Sequence, residues 1–123
     1  MSIFNKDIIE LARQNTNFRQ EILTNEHTQL VLMSIEPGDE IGEETHDVDQ
    51  VLVFVEGEGE AVLNGERSRV RTNALVVVPA GTKHNFINTG RSALKLYTIY
   101  APPEEPPGTL HRDKAEALAA EHH

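Results

Sequence analysis

The stretch "EAVLNGERSRV", residues 60–70, places Asn64 and Gly65 between two short strand-like runs. Asn and Gly both tolerate the positive φ that a two-residue hairpin requires, so the pair predicts a tight antiparallel reversal. The same grammar repeats on either side of it. Through "TQLVLMSIEPGDEIG" (28–42) and "QVLVFVEGEGEAVLNGERSRVRTNALVVVPAGTKHNFINTGRSALKLYTIY" (50–100), runs rich in Val, Ile, Leu and Tyr are cut by turn residues. These fall at Pro37-Gly38, Gly57, Asn64-Gly65, Pro79-Ala80-Gly81 and Thr89-Gly90. Turn signals every ~8 to 12 residues favour an all-β sandwich or barrel over a parallel sheet with crossover helices.

Outside this core the period changes. "NKDIIELARQN" (5–15) spaces Ile8, Ile9, Leu11 and Ala12 at helical intervals behind an Asn5 cap, which predicts a short amphipathic helix. After Ala101, "PPEEPPGT" (102–109) cannot donate regular ladder bonds, and "HRDKAEALAAE" (111–121) is a good helix former. A proline-bound strap followed by a C-terminal helix is expected. The closing His122 and His123 are given no weight in any site, because such a pair is also what an affinity tag leaves.

Composition removes several function classes. At 123 residues one domain is the simplest division, large enough to close a core without covalent staples. There are no cysteines, so a disulfide framework, a thiolate metal site and a Cys nucleophile are all excluded, and any metal must be held by His, carboxylate or carboxamide. No apolar run approaches the roughly 18 residues of a membrane span. The start "MSIFNKDIIE" lacks a charged segment followed by an apolar one, so no membrane or export role is expected and the cytoplasm is the expected location. Eleven basic residues against twenty acidic ones, a formal charge of −9, argue against a nucleic-acid partner.

Strand parity then divides "EETHDVDQ" (43–50). Side chains alternate faces with period two, so an extended segment from 44 to 54 would put Glu44, His46, Gln50, Leu52 and Phe54 on one face, with Asp47 and Asp49 on the other. An interior with Glu, His and Gln at its mouth and Leu and Phe deeper is the expected form of a ligand pocket. The opposite face carries Val51, Val53 and Val55, too apolar for water, so the terminal helices or a second subunit should cover it. A second polar cluster lies in "PAGTKHNFIN" (79–88), where the same alternation turns His84, Phe86 and Asn88 one way, able to meet His46 inside. His27, upstream, reads as a surface histidine, and His111 as either surface or part of a lid. Tyr97 and Tyr100 are candidate proton-transfer groups only where they face inward, and their odd spacing keeps them from sharing a face.

Over roughly residues 30 to 100 the sequence resembles the cupin superfamily. The second cupin motif is Gly, five residues, Pro-x-Gly, two residues, His, three residues and Asn; Pro79, Gly81, His84 and Asn88 fit it, with Asn73 in place of the leading Gly. The first motif is a Gly, then His-x-His, three or four residues, Glu, six residues and Gly. Here it fits in spacing, with Gln50 where the family has Glu, His46 as the second His, and Glu44 in place of the first. The chain looks like the small single-domain cupins, some of which carry labels such as mannose-6-phosphate isomerase.

The resemblance implies an antiparallel β-barrel, a jelly roll, spanning 27–101. It would be flanked by a helix and arm at 1–26 and by the strap and helix at 102–123, all in one domain. It also implies a divalent metal, Mn²⁺, Fe²⁺, Zn²⁺ or Ni²⁺, held by Glu44, His46, Gln50 and His84, above a pocket lined by Leu52, Phe54, Phe86 and Asn88. Glu44 and the two histidines match a 2-His-1-carboxylate face with open positions. The activity implied is isomerase or lyase chemistry on a sugar or related oxygenated metabolite. An Fe- or Mn-dependent dioxygenase and a non-catalytic small-ligand binder are the alternatives. A homodimer, through strand edges or the valine face, is the expected assembly.

Overall fold

The hairpin at Asn64-Gly65 forms as expected, with both residues at positive φ (50° and 83°) and Leu63 opposite Glu66. It joins two of nine strands in the computed structural model, which describes residues 3–121. Met1, Ser2 and the terminal His122 and His123 lie outside the described residues. In chain order the elements are α1 (Ile8–Gln14), β1 (Arg19–Thr24), β2 (Gln29–Ile35), β3 (Asp49–Glu56), β4 (Glu58–Leu63) and β5 (Glu66–Arg71). They continue with β6 (Leu75–Val78), β7 (His84–Asn88), β8 (Leu94–Ala101), β9 (Leu110–His111) and α2 (Lys114–Glu121).

The strands form a six-stranded sheet, β6-β3-β8-β2-β1-β9, and a three-stranded sheet, β5-β4-β7, antiparallel throughout. Together they make a jelly roll. Its core takes Val31, Met33, Ile35, Leu52, Phe54, Leu94, Leu96 and Tyr100 from the larger sheet, and Ala61, Val70 and Phe86 from the smaller. Phe54 and Phe86 meet across the gap with ring centroids 5.7 Å apart. Alternation holds cleanly in β8: Leu94, Leu96, Thr98 and Tyr100 are buried, and Lys95, Tyr97 and Ile99 face outward. Gly57 sits between β3 and β4 at φ 93°, and a Cβ there would lie 2.7 Å from the Ala93 carbonyl oxygen, so the turn accepts no side chain.

Four expectations change. The first helix is capped by Asp7, whose side chain accepts from the Glu10 N–H, and not by Asn5. The N-terminal arm is not only helix and connector: β1 lies inside it and pairs with β2 and β9, so the six-stranded sheet reaches beyond the expected barrel on both sides. The extended reading of 44 to 54 fails at its start, because β3 begins at Asp49 and residues 45–48 form an irregular turn. The valine face is covered only in part. Helix α1 packs Ala12, with Ile8 and Leu11 beside it, against Val55, Leu32 and Tyr97, whereas Val51 and Val53 stay half-buried. At the far end α2 is capped by Asp113, whose side chain accepts from the Glu116 N–H. Among the described residues no helix is long and apolar enough to cross a membrane.

Candidate metal centre

Glu44 reaches the interior by pairing rather than by strand parity. Its N–H donates to the His84 carbonyl at 2.8 Å and its carbonyl accepts from the His84 N–H at 2.9 Å, an isolated antiparallel bridge at the edge of β7. Residues so paired project their side chains to one side of the sheet. Two residues on, the His46 carbonyl accepts from the Gly81 N–H at 2.7 Å. The turn at Pro79-Ala80-Gly81 thus fixes His46 as well as His84. Asp49, exposed as expected, accepts from the Ala80 N–H and steadies the same turn.

The three side chains converge. Glu44, His46 and His84 each present a ligand atom within 4.8 Å of the others, and the two imidazole centroids are 5.1 Å apart. The hydrogen bonds around them settle which atoms face inward. His84 Nδ1 lies 2.8 Å from the Thr82 carbonyl oxygen, which only accepts, so Nδ1 carries the proton and a neutral ring leaves a lone pair on Nε2. His46 Nδ1 donates to Glu104 at 3.0 Å, which turns its Nε2 inward in the same way. Both Nε2 atoms are buried without a hydrogen-bond partner.

Gln50 is fixed by the same logic. Its Nε2 donates to the Thr98 hydroxyl at 3.1 Å inside the barrel, and its Oε1 is left buried and unpaired. The free atom is therefore the carbonyl oxygen, the end of a carboxamide that can meet a cation. Two imidazole nitrogens, a carboxylate and a carboxamide oxygen are a donor set suited to a borderline or hard divalent ion.

Charge is distributed accordingly. Burial opposes ionisation of Glu44, but the interaction with His46 and the charge of Arg19 outweigh it and hold the carboxyl below its ordinary range. The Glu44 carboxylate in turn makes His46 more basic than usual, against its burial and with help from Glu104. The Glu44 to His46 Nε2 contact is 3.6 Å, too long for a well-formed hydrogen bond, so the attraction between them is mainly one of charge. Burial pushes the Tyr100 phenol well above its ordinary range, and its ring meets that of His46 edge-on at 5.8 Å. Tyr97 lies on the opposite face, against α1, and takes no part.

The expected pocket lining is a packed floor. Leu52, Phe54 and Phe86 have no accessible surface, and the Phe86 ring lies 6.1 Å from that of His84. Asn88 is spent on structure: its amide donates to the Ile35 and Ser92 carbonyls and its oxygen accepts from the Gly90 N–H, closing the β7–β8 turn. An open groove of about 770 Å³ between Gly57, Arg69, Arg71 and Arg91 holds none of the four candidate ligands. His27 is exposed, as expected.

Three residues that sequence reading passed over, Arg19, Glu104 and Glu105, complete the wall together with His111. Arg19 of β1 lies 3.9 Å from Glu44 and 3.5 Å from Glu105; Glu104 and Glu105 come from the proline strap; His111 of β9, read as surface or lid, sits 3.3 Å from Arg19. The acidic pair inside "PPEEPPGT" was the visible signal, since a strap that needed only to be rigid would not need charge at its centre.

Comparison with known proteins agrees with this geometry. The sequence profile of the Cupin domain family matches residues 31–100. YrkC of Bacillus subtilis (strain 168), an uncharacterised protein, is 46% identical over 94% of this chain and 66% of its own length, so the chain spans just under two thirds of that relative. A crystal structure from Bacillus halodurans matches with a TM-score of 0.93 at 41% identity, covering 94% of this chain and 93% of that one. A Thermotoga maritima structure named a predicted oxalate decarboxylase matches at 20% identity with a TM-score of 0.65, over 69% of this chain and 79% of that one, and shares the fold. With both ligand-bearing turns inside the matched segment and both sheets closing as a jelly roll, the chain belongs to the cupin superfamily, as one of its small proteins.

Proposed function

We propose that the chain binds a divalent metal ion through Glu44, His46 and His84 with the Gln50 carbonyl oxygen. In this reading it acts on a small oxygenated metabolite, a sugar or a relative of one, by isomerase or lyase chemistry. One observation carries it: His46 Nε2, His84 Nε2 and Gln50 Oε1 are all buried and unpartnered, while the other polar atom of each side chain is held in place. An unpaired buried polar atom costs about 1–3 kcal/mol, so three in one interior argue for something that meets them. The donor set suits Mn²⁺, Fe²⁺, Zn²⁺ or Ni²⁺.

When bound, such an ion supplies a Lewis acid that polarises a carbonyl or hydroxyl. The chain's own residues do the rest. Glu44 is held ionised, and Glu104 orients His46. Tyr100 is kept as a neutral phenol by burial, so its hydroxyl retains a proton it can offer to a ligand. The strap covers one side of the centre and limits water there.

A second reading is a small-ligand binder without metal. The ion network favours it, because His46 as a cation between Glu44 and Glu104 is compensated without any ion. Elemental analysis of protein made without an affinity tag separates the two. Stoichiometric metal in the natural chain and its loss in His84→Ala supports the metal reading; an equal trace in both overturns it. A metabolite screen on the loaded protein then addresses the substrate.

The same proposal makes the working assembly a homodimer. Leu75 and Val77 of the edge strand β6 are 60% and 53% exposed beside their partners Val53 and Val51, an apolar face that α1 leaves open.

A further inference from the structure

Strand β1 sends one permanently charged side chain inward. Arg19 stands opposite Met33 in the β1–β2 ladder, and Met33 belongs to the main core; cross-strand partners share a face, so Arg19 points into the barrel. Its side chain is only 5% accessible, and its guanidinium lies over the Phe18 ring at 5.3 Å. A cation this deep has to be compensated. The compensation is by charge more than by hydrogen bonds. Nη2 is 3.9 Å from Glu44, Nε is 3.5 Å from Glu105 and forms no hydrogen bond, and Nη1 meets only the His111 ring nitrogen at 3.3 Å. Charge-assisted bonds from a guanidinium are ordinarily about 2.7–2.9 Å long. Of this rigid fork Nε is buried and unpaired, and Nη2 makes only the long contact to Glu44.

Glu44 ties this fork to the candidate centre. One of its oxygens faces Arg19, and the other faces His46 Nε2 at 3.6 Å. A ligand held at the Glu44, His46 and His84 atoms is thus only a carboxylate's width from the guanidinium. We propose that Arg19 is the carboxylate receptor of this interior, and that the ligand is a small 2-oxo or 2-hydroxy acid. Its 2-oxygen addresses the Glu44, His46 and His84 side, and its carboxylate takes the Arg19 fork. A neutral sugar would leave the buried donors unpaired, which a polar site discriminates against strongly. A phosphate dianion would meet three carboxylates, Glu44, Glu104 and Glu105, with twice the charge of a carboxylate monoanion. Arg19 and Glu105 both lie outside the segment that matches the family, so this receptor belongs to the chain's flanking elements.

The inference deepens the metabolite reading above and is tested with zinc, which is diamagnetic. Calorimetry on the full chain, with Zn²⁺ binding measured first, compares pyruvate and glycolate with their neutral amides, pyruvamide and glycolamide. The acids are expected to bind roughly 10- to 100-fold more tightly than the amides. Arg19→Gln should abolish that preference and Arg19→Lys should keep part of it, since a lysine retains the charge without the fork. Should Arg19→Gln fail to fold, the Arg19 Nε–H resonance of the natural chain gives the answer, because it should shift with the acids and not with the amides. Equal affinity for acid and amide, a preference that survives in Arg19→Gln, or an Arg19 resonance indifferent to the acids overturns the proposal. Absent zinc binding with an Arg19 shift still seen would sink the metal reading alone; zinc binding without discrimination would sink this one alone.

Discussion

Gln29 grips Glu105 by its backbone. The Gln29 amide nitrogen donates to the Glu105 carbonyl at 2.7 Å, and its oxygen accepts from the Glu105 N–H at 2.9 Å, so one side chain does what a neighbouring strand would do. The same oxygen also accepts from the Glu104 N–H at 3.1 Å. Prolines prevent this segment from joining a ladder, and a buried carboxamide supplies the partners instead. Glu104 is thereby delivered to His46 and Glu105 to Arg19.

Replacing Gln29 by Leu keeps the volume and removes those partners. The expected loss is about 1–3 kcal/mol in urea unfolding, from backbone groups left unpaired. Limited proteolysis should then cut within residues 102–109 faster than in the natural chain. A strap equally protected in both would show that the prolines alone hold it.

Glu104 acts on the candidate centre through His46. Without its carboxylate the His46 ring loses the acceptor that fixes Nδ1–H, and removal of such a partner typically weakens metal binding about 10- to 100-fold. Glu104→Ala should show that loss in zinc calorimetry. Glu104→Gln should recover part of it, since a carboxamide oxygen still accepts from Nδ1. Identical affinities in all three proteins would remove the strap from the site.

Local chemistry made much of this legible in advance. The Asn64-Gly65 reversal, the Pro79-Ala80-Gly81 turn, the alternation in β7 and the opposite facing of Tyr97 and Tyr100 in β8 are each encoded within a few residues, and each appears as read. Glu44 and His46 face inward, although residues 45–48 are not extended; the bridge to His84 does that work, and a bridge between distant residues leaves no periodic trace. Arg19, Gln29 and Glu104 went unseen for the same reason. β1 reads "RQEILT", with no strict alternation, and its pairing with β9 joins residues from opposite ends of the chain.

The ion network gives the metal-free protein a defined pH window. His46 is more basic in the fold than its ordinary 6.5, so the stability it contributes is complete below that value and is lost as pH climbs through its raised folded value. Glu44 is more acidic than its ordinary 4.5, so its contribution is present above that value and is lost as pH falls through its lowered folded value. The chain in EDTA should therefore melt highest between those limits and lower on either side. Metal binding requires His46 without its proton, so the stabilisation by added Zn²⁺ should grow as pH rises through the same raised value. Melting curves from about pH 3 to about pH 9 with EDTA, and from about pH 5 to about pH 9 with zinc, test both arms. A zinc effect that is flat across this range would detach His46 from the metal.

Gln50→Glu restores the residue the cupin motif carries and should separate the two states of the protein. In the metal-free chain a second carboxylate is buried with only the Thr98 hydroxyl to meet it and no cation beside it, so the melting temperature should fall. With Mn²⁺ the added charge and hard oxygen should raise affinity above that of the natural chain. Calorimetry and melting with and without Mn²⁺ read both effects. A variant that is destabilised equally in both conditions would place the Gln50 oxygen away from the ion.

The proposed dimer would form at the edge strand β6. Leu75 and Val77 project from the same face as Val53 and Val51, their partners in β3, and burying the part of each that is still exposed is worth roughly 1–2 kcal/mol. Across a two-fold axis this patch would meet its own copy, so a charge introduced there would face a like charge from the second chain. Light scattering should give a dimer mass for the natural chain and a monomer mass for Leu75→Glu combined with Val77→Glu, with the β-sheet spectrum unchanged. A natural chain that is monomeric at high concentration removes the dimer. A double variant that remains dimeric moves the interface off this face.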